Sequence, residues 1–256
     1  MKRILIVIDG SDNDADSLAS AKNFTALTDA QLTVAHARVS NQSLVGFGEF
    51  VFAANETDHA KQSEVRARAA FDTVCGDLPG ARFMVYDASC DTVTAAIGYA
   101  YDLIMVERLS SEDGPEASNL NAALFETGRL VLLVPPRAVN GPIDRAAIAW
   151  NGSLPILQIA RDVVLLTGSG AGEVSVELLL EYLAAYDLAP SVQGYDSDRL
   201  TARARGRALI AAANQADADL LVMGAFGEGQ AGAIAGLGRA TRKIVTAAPM
   251  PVLLQS

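Results

Sequence analysis

Short unbroken apolar runs alternate along this chain with longer stretches whose apolar positions recur every three to four residues. The first kind fits strands buried on both faces, and the second fits helices with one buried stripe. The run Ile4-Leu5-Ile6-Val7-Ile8 predicts a strand over 3–9, stopped at once by Asp9-Gly10-Ser11. A helix over 14–27 follows, with Leu18, Ala21 and Ala26 near one face, and then a strand over 31–37. The glycine- and phenylalanine-containing stretch 43–55 reads as a loop. A helix over 57–76, a strand over 82–87 and a short helix over 91–101, with Asp91 as its N-cap, come next. Strand 102–107, a short helix over 119–127 and strand 130–134 complete a β-α-β series, which implies a parallel sheet with helices on both faces.

The same series then starts again. ILIVIDGS at 4–11 is matched by AAIAWNGS at 146–153, DLIMV at 102–106 by DLLVM at 219–223, and LVLLV at 130–134 by PMPVLL at 249–254. Three matched strands in one order indicate a duplication, with a period too long for a solenoid. The seam falls at Pro135-Pro136-Arg137-Ala138-Val139-Asn140-Gly141-Pro142, so two units are expected, 1–136 and 143–256. In the second, only Leu154–Arg161 separates Asn151-Gly152-Ser153 from the next apolar run at 163–166, so its first helix is shortened or replaced by a turn. Helices over 172–187, 199–216 and 236–247 and strands over 190–195, 219–224 and 250–254 complete the second series.

Composition narrows the partners. The formal net charge of −10 and the absence of a large Lys/Arg cluster argue against a nucleic-acid partner, which requires a basic face. No apolar segment approaches the length of a membrane span, and the apolar start is too short for a signal peptide, so a cytoplasmic protein is expected. Cys75 and Cys90 form no disulfide framework and read as reduced thiols. His36 and His59 lack metal-ligand spacing; His36 reads as a satisfied core-edge residue. Glu107-Arg108 reads as a solvated turn or a local pair.

The feature with most chemical content is the end of the strand Asp219–Gly224, continuing through Gly227 to Gly238 and a helix opening near Arg239. Glycines at the carboxyl end of a parallel strand let backbone amides approach a ligand, and a helix N-terminus favours phosphate. A plain turn is the alternative reading. Gly227-x-Gly229-x-x-Gly232 spells a dinucleotide fingerprint, but it follows the wrong strand and lacks the acid about twenty residues on. No Walker A, G-x-S-x-G or H-E-x-x-H motif occurs. Asp9 and Asn151 end the two first strands; each serves either as a ligand contact or as an Asx turn.

Across nearly its whole length the chain resembles the universal stress protein family in its tandem form. The carriers are ILIVIDGS at 4–11, LTVAHA at 32–37, AIAWNGS at 147–153, ADLLVMGAFG at 218–227 and the stretch from Gly236 to Leu254. The resemblance implies an α/β architecture of two tandem five-stranded parallel-sheet domains, Rossmann-like and similar to the adenine-nucleotide alpha-hydrolases, with strand order 3-2-1-4-5. It also implies a pseudo-dimer in which 130–134 pairs with 251–254 inside one chain, with homodimerisation beyond that left open. Some members of the family bind ATP through G-x2-G-x9-G-[ST]. On that motif, Gly224 and Gly227 match, Gly238 falls one position late, Arg239 takes the hydroxyl position with Thr241 nearby, and Met223 precedes the first glycine. Asn151 stands where Asp is usual, while Asp9 and Ala37 match the adenine side in the first copy. Glu107-Arg108 replaces the first copy's motif glycine, which marks that copy as vestigial for nucleotides. The expectation is a non-enzymatic stress-response regulator with ATP or AMP in the second copy. A protein-interaction module with both sites degenerate and a weak ATPase are the alternatives.

Overall fold

The computed structural model describes residues 1–38, 50–111, 115–149, 160–169, 173–185, 187–225 and 237–255. The apolar runs become the strands of the first half: β1 (Arg3–Ile8), β2 (Gln31–Ala37), β3 (Arg82–Tyr86), β4 (Leu103–Glu107) and β5 (Leu130–Val134). The second half supplies β6 (Arg145–Ala149), β7 (Asp162–Gly168), β8 (Ser191–Tyr195), β9 (Leu220–Gly224) and β10 (Val252–Gln255). The helices among the described residues are α1 (Asp14–Thr28), α2 (Phe50–Cys75), α3 (Cys90–Ile97), α4 (Pro115–Glu126), α5 (Glu173–Ala184), α6 (Ala202–Gln215) and α7 (Arg239–Ala247).

All ten strands join one sheet in the order β3-β2-β1-β4-β5-β10-β9-β6-β7-β8. Each half keeps the order 3-2-1-4-5 implied by the resemblance. Every neighbouring pair is parallel except β5 with β10, which run antiparallel with Leu132 opposite Leu253. That pair is the intramolecular seam expected from 130–134 and 251–254. Because the two halves meet head to tail, their carboxyl strand ends open on opposite edges of the sheet.

The strands are apolar on both sides because helices cover both faces. On one face Ile4, Ile6, Leu132, Val222 and Leu253 pack with Leu18 and Phe24 of α1, Phe71 of α2 and Leu179 of α5 in a single cluster that crosses the seam. On the other, Val131, Leu133, Leu221 and Val252 pack with Leu120 and Leu124 of α4, Leu209 of α6 and Ile244 of α7. The predicted seam loop lies between β5 and β6. Val139 N–H donates to Ser20 Oγ at 2.9 Å, and Gly141, at φ +99°, exchanges two hydrogen bonds with the Asn23 amide.

Several element boundaries depart from the sequence reading, among them that α3 ends at Ile97 rather than 101, α5 at Ala184 rather than 187, and that α6 starts at Ala202 rather than 199. Helix α2 starts at Phe50 rather than 57, since no glycine or proline interrupts the chain between Phe50 and Cys75. Helix α4 starts at Pro115 rather than 119, proline being suited to a first helical position. Ser89, not Asp91, is the N-cap residue of α3, and the Asp91 carboxylate accepts from the Ser89 hydroxyl instead. Residues 43–49 of the predicted 43–55 loop, Trp150 and most of the shortened 154–161 segment lie outside the described residues.

Candidate functional site

In a doubly wound sheet the ligand crevice lies beyond the carboxyl ends of the strands where the order reverses. This chain has two such places, between β1 and β4 and between β6 and β9.

The first crevice is built on the turn after β1. Gly10 sits at φ +86°, and a Cβ there would lie 2.4 Å from the Ser63 carbonyl oxygen of α2, so only glycine fits. Asp9 is exposed and accepts from Ser11 N–H at 3.0 Å, which is the local Asx turn. Asp14 opens α1 and is 5% exposed. Its carboxylate accepts from Gly10 N–H at 2.9 Å and from the Ser11 hydroxyl at 3.1 Å. Arg66 of α2 donates to the Gly10 carbonyl at 2.8 Å. Burial, reinforced by the charge of Asp9, pushes the Asp14 carboxyl up to about 7. Glu107, the last residue of β4, is held by the Asn13 amide at 2.8 Å, and burial followed by the charge of Glu116 raises its carboxyl too. Three carboxylates therefore share this crevice. Ala37 is buried at the end of β2, and the next residue, Arg38, pairs with Glu64 at 2.7 Å and Asp87 at 2.6 Å.

Two sequence expectations are corrected here. Glu107-Arg108 is no solvated turn: Arg108 N–H donates to the Val134 carbonyl at 2.7 Å, and its guanidinium reaches the Thr246 carbonyl of α7 at 3.3 Å. Leu109 is buried, and its N–H donates to the Val245 carbonyl at 3.2 Å. His36 is fully buried against Phe83 rather than at the core edge, with its Nε2 3.5 Å from Ser63 Oγ and the ring also bonded to the Ile8 backbone. Burial lowers its pKa and keeps the ring neutral.

Sequence reasoning also missed Asp14 and Arg66. Ser11-x-x-Asp14 has the spacing of a capping box, in which the third residue's carboxylate reaches back to a backbone N–H, and that signal could have found Asp14. Nothing local marks Arg66, because its contact crosses fifty-six positions.

The second crevice is built differently. Gly224, at the end of β9, occupies the place that Glu107 holds at the end of β4, and Met223 before it pairs with Ala149 of β6. Both are buried. Gly238 precedes α7 as its N-cap residue and has no side chain with which to cap the helix start. Arg239 is exposed in the first turn, whereas Thr241 is buried in the packed face. A Cβ on Gly206 of α6 would lie 2.5 Å from the Ala240 carbonyl, so α6 and α7 are in backbone contact and the helix start is held firmly. Asn151 and Gly227 lie outside the described residues. The predicted residues thus divide between the two edges of the sheet: Asp9 and Ala37 at one, Met223, Gly224, Gly238 and Arg239 at the other.

Both cysteines are free, and burial raises the thiols of Cys75 to about 11 and Cys90 to about 12, so neither is a ready nucleophile. Among the described residues, no group of three His, Cys, Asp or Glu side chains is placed to hold a metal ion, and no helix is long and apolar enough to cross a membrane.

The sequence profile of the universal stress protein family matches residues 138–255. No curated protein matches the chain. Among solved structures, the chain is similar to a universal stress protein from Archaeoglobus fulgidus, with a TM-score of 0.68 and 15% identity over 99% of this chain and 96% of that one. It is similar as well to a candidate universal stress protein from Pseudomonas aeruginosa, with a TM-score of 0.55 and 14% identity over 100% of this chain and 93% of that one. A protein of unknown function from the same species gives 0.54 and 14%, over 100% and 92%. At such identities the likeness is one of fold. The profile of that family thus covers residues 138–255, and both halves share its 3-2-1-4-5 strand order.

Proposed function

We propose that the protein is a non-catalytic regulator that holds an adenine nucleotide, ATP or AMP, in the second crevice only. The observation that carries this reading is the contrast between Glu107 and Gly224 at equivalent strand ends. In the first crevice Asp14 already occupies the Gly10 N–H, and the carboxylates of Asp9 and Glu107 stand where a phosphate would have to lie. Like charges at that distance oppose a polyanion. In the second, the strand ends in a glycine and α7 starts after another glycine, with the exposed Arg239 guanidinium in the first turn of α7. Unpaired helix N–H groups, the helix dipole and a guanidinium all favour phosphate. The chemistry of the described thiols and of His36 supports a regulatory rather than a catalytic role. The described thiols are protonated, and the buried His36 is neutral and turned under α2.

The test is a thermal melt with and without millimolar Mg-ATP, and again with AMP. A ligand at about 100 times its dissociation constant adds roughly 2.7 kcal/mol, which raises Tm by several degrees for domains of this size. The expected outcome is a rise that Arg239→Glu removes and Glu107→Gln leaves in place. No rise in a folded protein would overturn the nucleotide reading in favour of a ligand-free interaction module.

A further inference from the structure

We propose that the first half is the regulatory half of the molecule: the charge carried by Asp9, Asp14 and Glu107 is passed along the strand end Glu107–Leu109 to α7, and so sets how tightly the second crevice holds its ligand. The regulated ligand is the nucleotide of the preceding reading, on which this inference rests.

Three independent features carry it. The first is the joint between the halves. The two residues after Glu107 are bonded to the last turn of α7, Leu109 N–H to the Val245 carbonyl and the Arg108 guanidinium to the Thr246 carbonyl. These are carbonyls that a helix end leaves without intrahelical donors. The Arg108 Nε is buried without a partner, so the joint is incompletely satisfied and a small displacement changes its energy. The second is direction. The antiparallel pairing of β5 with β10 sets the carboxyl edge of the first half beside the end of α7, while the start of α7 faces the second crevice. Nine residues of helix span about 14 Å, a rigid rod from one edge toward the other. The third is the grouping of charges at Asp14. Acting on it are Asp9 from its own turn, Glu107 from β4 with Glu116 of α4 beyond, and Cys90 of α3, which has Asp91 as a further neighbour; neutral His36 of β2 faces Asp9, and the Arg66 guanidinium of α2 sits on the Gly10 carbonyl.

Glu107 is tethered to the Asp14 turn through the Asn13 amide. With Asp14 ionised, Glu107 is repelled from that turn and drags the strand end that grips α7. With Asp14 protonated, the repulsion falls and the grip is restored. The pH range follows from the Asp14 carboxyl, which burial pushes up to about 7.

The experiment is hydrogen exchange of the α7 amides at pH 6 and pH 8, corrected for intrinsic rates, alongside Mg-ATP affinity at both pH values. It compares the wild type with Asp14→Asn and Glu107→Gln. In the wild type, α7 is expected to exchange about fivefold faster at pH 8 and Mg-ATP to bind about fivefold more weakly, a modest allosteric coupling. Both ratios should collapse in the two variants; comparison with them cancels the titration of the nucleotide itself. Equal pH ratios in wild type and variants would overturn the proposal. An α7 response in the wild type with no nucleotide bound to any of the proteins would uphold the transmission and refute the nucleotide reading.

Discussion

Asp14 is a carboxylate kept in the interior by two donors, Gly10 N–H and the Ser11 hydroxyl, and pressed by the negative charge of Asp9 and Glu107. Its carboxyl lies higher in the folded than in the unfolded protein. Between the ordinary carboxylate range and about 7 the native state therefore binds the extra proton, so this residue's contribution to stability falls as pH rises through that window and is flat above it. Asp14→Asn keeps one acceptor for Gly10 N–H and removes the charge. Denaturant unfolding of the variant should show a stability gain over the wild type that grows from pH 4 to pH 7, reaching on the order of 1–4 kcal/mol. A gain that shrinks with pH, or none, would contradict the burial of an ionisable group there. At this scale the sequence was only partly legible. Ser11-x-x-Asp14 displays its spacing openly, but the cost of the charge comes first from burial, which the fold decides, and then from Asp9 and the remote Glu107.

Among the elements, the repeat noticed as DLIMV and DLLVM has a mechanical meaning. Asp102, just before β4, accepts from the N–H groups of Lys2 and Arg3 at 2.6 and 3.0 Å. Asp219, just before β9, accepts from those of Asp144 and Arg145, both at 3.0 Å. Each carboxylate staples the start of one strand to the start of its neighbour and so fixes the parallel register. The bond from Lys2 N–H, with that from Arg3, holds the Asp102 carboxyl below its ordinary range, so its contribution is present at neutral pH and lost in acid. Asp102→Ala and Asp219→Ala should each cost about 1 kcal/mol in chemical denaturation at pH 7, the two sites being exposed and hydrogen-bonded. Equal stability of either variant and the wild type would show that the strand ends need no staple. Strand positions were legible because an apolar run buried on both sides leaves few alternatives. Helix starts were less so, since Phe50, Pro115 and Ser89 act through local sterics and caps that a periodicity does not display.

For the whole molecule, the seam decides behaviour. β10 has β5 on one side and β9 on the other, and both apolar clusters cross from one half to the other. A fragment of 138–256 would expose the β10 edge and half of each cluster. Such an edge invites pairing with another copy. The fragment is expected to elute as a dimer or larger species in size-exclusion chromatography; elution as a stable monomer would mean that the halves do not depend on the seam. The seam also puts the two crevices on opposite edges, so any influence of one on the other must travel through the sheet or along helices such as α7.

By itself the sequence determined the strands, their duplication and the parallel order of each half. These follow from local apolar runs, and a right-handed crossover leaves few ways to connect them. It determined too that Gly224 and Glu107 differ at matching positions. Only the tertiary structure decided what that difference does. The burial of Asp14, the packing of His36 against Phe83 and the grip of Arg108 and Leu109 on α7 all depend on residues far apart in the chain. A proton's affinity and a buried group's partners depend on what surrounds them in space, and no local pattern of residues records that.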